Sequence, residues 1–199
     1  LPTELGLVSS LEWLSIHGGS GTLPTELGLL NRLRGLSATA SAGLRGRLPT
    51  ELGALDALEQ LQLSGCGLSG TIPSELGSAR GWPRRGLADD TPVLTELGGA
   101  ELGAAAARAP RRARASAYLR SLSLAANSLD GTVPTELGAL AGLRELALGD
   151  NRLSGQLPSE LGLLSALETL HVTRNWLSGH VPAELAQLSN AHSCELTDS

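Results

Sequence analysis

The sequence predicts an α/β solenoid, a right-handed coil of short stacked units with a parallel β-sheet along its concave face. The block Leu-Pro-Thr-Glu-Leu-Gly recurs with small variations, its prolines falling at Pro2, Pro24, Pro49, Pro73, Pro134, Pro158 and Pro182. Successive intervals are 22, 25, 24, 61, 24 and 24 residues, and self-similarity at a period in the twenties marks a unit that stacks on its own copies. Within each unit, leucines alternate over a short run and then change spacing. That pattern suits a chain that lays down one strand, turns a corner and returns over the far side.

The unit from Pro134 to Leu157 shows each element in order. Ser or Thr after the repeat proline, followed by x-Leu-Gly, suits a tight helical turn. Next, Leu146 and Leu148 alternate with Ala147 and Gly149, so the two leucines point inward and their neighbours outward. Asn151 then stands between Leu148 and Leu153, with Asn127 and Asn175 in the same register. An Asn stacked there can bond backbone groups that the strand leaves unpaired. Cys66 holds that register in the third coil and is expected to be a buried thiol. Finally Leu153-Ser154-Gly155-Gln156-Leu157-Pro158 ends in a proline, which pushes its predecessor into an extended conformation and supplies no N–H. An extended return segment on the convex side follows.

The run Leu143-x-x-Leu146-x-Leu148-x-x-Asn151-x-Leu153 carries the leucine-rich-repeat pattern. With the Leu-x-Gly-x-(Leu/Ile/Val)-Pro half it resembles the plant-type repeat, as in receptor-like kinase ectodomains and polygalacturonase-inhibiting proteins. It is also similar to Leu-Pro-Thr-Glu-Leu-Gly-rich proteins of unicellular algae. The resemblance covers all of the chain except one insert. It implies a non-enzymatic protein or peptide recognition surface, of unspecified ligand, on the concave face and rim. Two other readings follow from it: the sensing segment of a longer receptor-like kinase or receptor-like protein in signalling, and an enzyme inhibitor.

Composition bounds the rest. The 199 residues hold no Phe, one Tyr and no Lys, so the core must be Leu, Ala and Val. The chain starts one residue before a repeat proline, lacks Met and stops in mid-repeat, and is expected to be a fragment. No membrane segment lies within it, and oligomeric state is left open. Cys66 and Cys194 are the two cysteines, Cys194 at a leucine position and therefore also expected in the core. Missing paired cysteines and glycosylation sequons lean toward an intracellular home, whereas the family resemblance implies an extracellular or membrane-anchored one.

Three segments are expected: coils over 1–78, an irregular insertion over 79–115, and coils over 116–199. The interval from Pro73 to Pro134 exceeds one repeat by 37 residues. The insertion holds seven Arg against four acids, net +3, while the remainder is net −8. Its run from Arg108 to Arg114 could attract an anion, yet no aromatic residue is interleaved there, so nucleic acid is not expected as the ligand. A surface loop or translated non-coding sequence is the plainer reading.

Most outward positions of the strands are small and polar. Glu145, Asp150, His171 and Arg174 lie in neighbouring coils on or beside the rim and could form a mixed-charge patch. Trp13 and Trp176 are candidate partner-binding residues, since Trp is enriched at interface hot spots. A column of Glu at 4, 26, 51, 75, 136, 160 and 184 repeats one charge down the stack. His17, His171, His180 and His192 lack zinc-type spacing, and no nucleophile–base arrangement stands out, so neither catalytic residues nor a metal or cofactor is expected.

Overall fold

The computed structural model describes residues 1–38, 41–78 and 118–196. The expected insertion over 79–115 lies outside the described residues. Each coil opens on a 3-10 turn directly after its repeat proline, at Thr3–Leu7, Thr25–Leu29, Thr50–Ala54, Ser74–Leu76, Thr135–Ala139, Ser159–Leu163 and Ala183–Gln187. The proline supplies the fixed φ and extended ψ from which the turn starts. Its carbonyl then accepts the first turn bond, as from Leu27 N–H to Pro24 O at 3.2 Å.

After each turn comes one strand of a parallel sheet. Its members are β1 (Trp13–Ser15), β3 (Gly35–Ser37), β5 (Gln60–Gln62), β7 (Ser121–Ser123), β9 (Glu145–Ala147), β11 (Thr169–His171) and β13 (Ser193–Glu195), hydrogen-bonded in that order. Homologous residues pair: Leu14 with Leu36, Leu36 with Leu61, Leu122 with Leu146, and Leu146 with Leu170. Leu61 pairs directly with Leu122, so the sheet continues from β5 to β7 although paired residues there stand 61 positions apart in the chain.

The remaining strands are β2 (Ser20–Gly21), β4 (Gly43–Gly46), β6 (Gly67–Thr71), β8 (Ser128–Asp130), β10 (Ser154–Gly155) and β12 (Trp176–Leu177). The return segments are therefore not merely extended. They pair into a second parallel ribbon in two stretches, β2-β4-β6-β8 and β10-β12, between which Arg152 N–H bonds Leu129 O at 2.8 Å and Ser154 N–H bonds Gly131 O at 2.7 Å. Here the register slips by two residues per coil: Gly46 pairs with Leu68 and Gly70 with Leu129, although Gly46, Gly70 and Gly131 are repeat equivalents.

Between the two sheets and the turns lies a leucine core. Leu36, Leu61, Leu122, Leu146 and Leu170 are fully buried, as are Leu63, Leu124 and Leu148. A fully buried leucine contributes roughly 1.5–3 kcal/mol, and a single coil is too thin to bury it without its neighbours. Cys194 departs from expectation. It pairs with Leu170 at an inward position yet is exposed. β13 is an edge strand of the described sheet, so among the described residues no further coil stacks on its far side.

The asparagine register closes as a ladder. Asn151 Nδ2 donates to Leu148 O and Gly149 O in its own coil and to Leu124 O in the preceding one, at 3.0, 3.2 and 3.0 Å. Its Oδ1 accepts from Leu129 N–H at 3.0 Å. Asn127 and Asn175 repeat the arrangement on Leu63 O and Leu148 O. Cys66 is buried, its thiol donating to Ala38 O at 3.0 Å.

The glycine of the repeated block has a steric cause. A Cβ on Gly28 would stand 2.6 Å from both the carbonyl oxygen and the Cβ of Glu51 in the next coil, and Gly162 stands in the same way to Glu184. Each 3-10 turn thus rides on the bare backbone of the one before. The Glu carboxylates of the repeated block, Glu184 after Ala183 excepted, accept from the preceding hydroxyl, as from Thr50 Oγ1 to Glu51 Oε2 at 3.2 Å.

Candidate functional site

Three-residue strands present two outward columns on the concave sheet. Along the first run Trp13, Gly35, Gln60, Ser121, Glu145 and Thr169; along the second run Ser15, Ser37, Gln62, Ser123, Ala147 and His171. These columns divide by charge. From β1 to β7 every outward strand residue is uncharged, whereas β9, β11 and β13 carry Glu145, His171 and Glu195.

In the charged half, the four residues expected to form one patch make three separate pairings. Glu145 Oε2 accepts from Ser121 Oγ at 2.8 Å, toward the preceding coil. His171 Nδ1 lies 3.0 Å from Glu195 Oε2, toward the following coil. Arg174 donates from NH1 to Asp150 Oδ1 at 3.2 Å, outside the sheet. Glu145 registers with Thr169 and His171 with Ala147, so the first two stand diagonally and do not bond each other.

Asp150 and Arg174 have φ of 55°, and Ala126 in the same position has 54°. Gly18 and Gly65 hold that position in other coils at 63° and 69°. Each of these residues directly precedes the ladder position, where the chain must reverse from the concave strand into the return segment. A left-handed conformation costs a non-glycine residue about 1 kcal/mol, and the ladder bonds of Asn127, Asn151 and Asn175 hold it there.

The two tryptophans lie on different surfaces. Trp13 starts β1 on the concave face and is 55% exposed; Trp176 starts β12 in the second ribbon, opposite Ser154, and is 66% exposed. From β1 to β9 the concave sheet spans four strand spacings, about 19 Å. Trp13 therefore cannot share a small ligand with Glu145.

Some residues of the site were not singled out in the sequence. The residue before each concave strand forms a rim column that includes Glu12, Arg34, Glu59, Arg120, Arg144 and Glu168. Arg34 donates from Nε and NH2 to Glu59 Oε1 at 2.9 and 2.6 Å, and Arg144 reaches Glu168 at 3.1 Å. The bond from Arg34 to Glu59, with the attraction of Glu59 and Glu12, raises the Arg34 pKa further. Ser41 is a further rung of the ladder, buried and donating to Ile16 O at 3.2 Å. It follows Pro24 by seventeen residues, as Cys66 follows Pro49 and Asn151 follows Pro134, so the signal was present in the spacing.

Among the described residues no three His, Cys, Asp or Glu side chains gather where they could hold a metal ion. No helix among them is long and apolar enough to cross a membrane.

The Leucine Rich Repeat family model matches residues 57–79, 118–140 and 142–164. These coils are leucine-rich repeats. The chain is similar to the ectodomain of the plant membrane receptor kinase GASSHO1/SCHENGEN3 from Arabidopsis thaliana, solved in complex with CASPARIAN STRIP INTEGRITY FACTOR 2. Identity is 28% and the TM-score 0.70, covering 99% of this chain and 20% of that one. At 23% identity the likeness is of fold alone: to the plant peptide hormone receptor RGFR1 in complex with RGF2 (TM-score 0.71, covering 99% of this chain and 30% of that one). The same holds for the Arabidopsis receptor kinase HAESA with the peptide hormone IDA and the co-receptor SERK1 (23%, TM-score 0.68, covering 100% and 31%). The chain thus spans between a fifth and a third of these proteins. No curated protein sequence gives a significant match.

Proposed function

We propose that this leucine-rich-repeat chain is a non-enzymatic recognition module that binds a protein or peptide across its concave face and rim. The observation that carries this reading is the open sheet from β9 to β13. It sets Glu145, His171 and Glu195 at outward strand positions and the Asp150–Arg174 pair beside them. Such a surface offers both signs of charge within a few strand spacings and suits a partner with alternating polar groups. Likeness to the GASSHO1/SCHENGEN3 ectodomain, solved with its bound factor, supports the same conclusion.

Selection of displayed random dodecapeptides against the chain tests it. Enriched peptides are expected to lose most of their binding to a Glu145→Ala/His171→Ala/Arg174→Ala triple variant. Peptides that bind wild type and variant alike place recognition elsewhere and defeat the reading.

A second reading is that the chain is the sensing segment of a longer receptor-like kinase or receptor-like protein, held outside the cell. The resemblance to a membrane receptor kinase over 99% of this chain supports it. The complete transcript tests it: an apolar span of about twenty residues establishes the receptor, with kinase motifs beyond it marking the kinase form, and absence of such a span refutes it.

A further inference from the structure

The neutral half of the concave sheet differs in kind from the charged half. Trp13 is laid over the backbone of β3: a Cβ on Gly35 would fall against its Cε3 and Cζ3 atoms and 3.3 Å from Cδ2. Gly35 is therefore what lets the indole lie across the neighbouring strand, and more than half of Trp13 remains open to solvent. On the far side of Gly35, directly in register, stands the exposed amide of Gln60, with Gln62 two residues on. Neither amide, nor the hydroxyl of Ser37, makes a hydrogen bond among the described residues, so each keeps its donors and acceptors for a ligand. Nearby, Ser15 Oγ lies 3.5 Å from His17 Nδ1.

Among the described residues of this half, the charge beside the strands lies on the rim, where Arg34 and Glu59 neutralise one another and Glu12 adds its field to Arg34. A charged ligand would meet no counter-charge on the strands themselves. An apolar one would strand two amides and several hydroxyls against it, at a cost of about 1–3 kcal/mol for each group left unpaired. The combination suits a ligand with one face of weakly positive C–H bonds and a periphery of hydroxyls. The negative face of an indole attracts the first, and amides and serines bond the second.

We propose that the β1–β5 region of the concave face binds a neutral carbohydrate, with one sugar ring stacked on Trp13 and its neighbours bonded by Gln60, Gln62 and Ser37. Trp13 and Gln60 stand two strand spacings apart, about 10 Å, a span that a short oligosaccharide covers. This site is separate from the peptide surface proposed for β9 to β13 and does not depend on it.

The test titrates the chain with neutral hexaoses, β-1,3- and β-1,4-linked glucose and β-1,4-linked mannose, with hexagalacturonate as the anionic control. Indole N–H resonances are followed by NMR and affinity by calorimetry. At least one neutral hexaose is expected to shift the Trp13 indole signal and leave that of Trp176 in place. Trp13→Ala is expected to weaken binding roughly tenfold, the loss of about one stacking contact, and Gln60→Ala severalfold. Trp13→Phe retains part of the affinity. Because Trp13 lies on the surface, circular dichroism should show each variant folded. The proposal is overturned if no neutral hexaose binds at millimolar concentration, if Trp13→Ala binds as wild type does, or if hexagalacturonate binds as tightly.

Discussion

The side-chain amide of Asn151 donates to the carbonyl of Leu124, 27 residues earlier in the chain, at 3.0 Å. One buried side chain so closes the exit of two strands at once, and its Oδ1 takes the Leu129 N–H of the preceding return segment. Asn151→Ala takes one donor from each of three carbonyls, which keep others from Asn127, Ala126 and Asn175, and removes the side-chain acceptor of the Leu129 N–H. The expected loss is about 2–4 kcal/mol, read from urea melts. Cys66 supplies a single good bond, to Ala38 O, so Cys66→Ala should cost about 1 kcal/mol. Equal losses at the two positions would contradict the ladder.

Leu146 and Leu148 are fully buried between coils. Leu146→Asp or Leu148→Asp places an unpaired carboxylate in the stack and should cost at least ~4 kcal/mol. Because each coil is stabilised by its neighbours, faster amide exchange is expected in β7 and β11 as well as in β9. Loss confined to β9 would show that the coils do not depend on one another.

Two backbone positions should respond in opposite directions to the exchange of glycine and alanine. Gly28→Ala drives a methyl against the Glu51 carbonyl in the next coil and should destabilise by about 1–3 kcal/mol. Ala126→Gly relieves a left-handed residue at φ 54°, with an expected gain of up to ~1 kcal/mol after the entropy of the unfolded glycine is deducted. Thermal melts of the two variants check both signs.

Burial pushes the Cys66 thiol above its usual 9.0, offset in part by a backbone hydrogen bond from Ser41. The folded chain therefore holds this proton at pH values where the unfolded chain has lost it. Its contribution to stability is complete below the unfolded thiol pKa and is lost as pH rises through the raised folded value. Urea midpoints should fall above about pH 9 and fall less in Cys66→Ala. A disulfide-exchange reagent at neutral pH should meanwhile label exposed Cys194 rapidly and Cys66 only on unfolding. Rapid labelling of both would show Cys66 to be accessible.

How far the sequence could be read depended on whether a residue's environment repeats. Leu146, Asn151 and Pro158 have counterparts at fixed intervals, so their inward, ladder and turn roles followed from spacing alone. Cys194 shows where that logic stops. Its position is inward by period, but the period says nothing about whether another coil covers it. The return segments are similar. Proline made them extended, whereas their pairing with a two-residue slip is a property of how coils lie on one another.

Periodicity by itself determined the solenoid, the leucine core, the asparagine ladder and the sites of the turns, because each is a local pattern copied from coil to coil. Stacking decided which outward side chains meet. Glu145 bonds Ser121, His171 faces Glu195, and Trp13 lies over Gly35, each partner 22 to 24 residues away along the chain. The physical reason is that the repeat specifies the direction in which a side chain leaves the backbone. Its contacts depend on the chance chemistry of the coil above and the coil below.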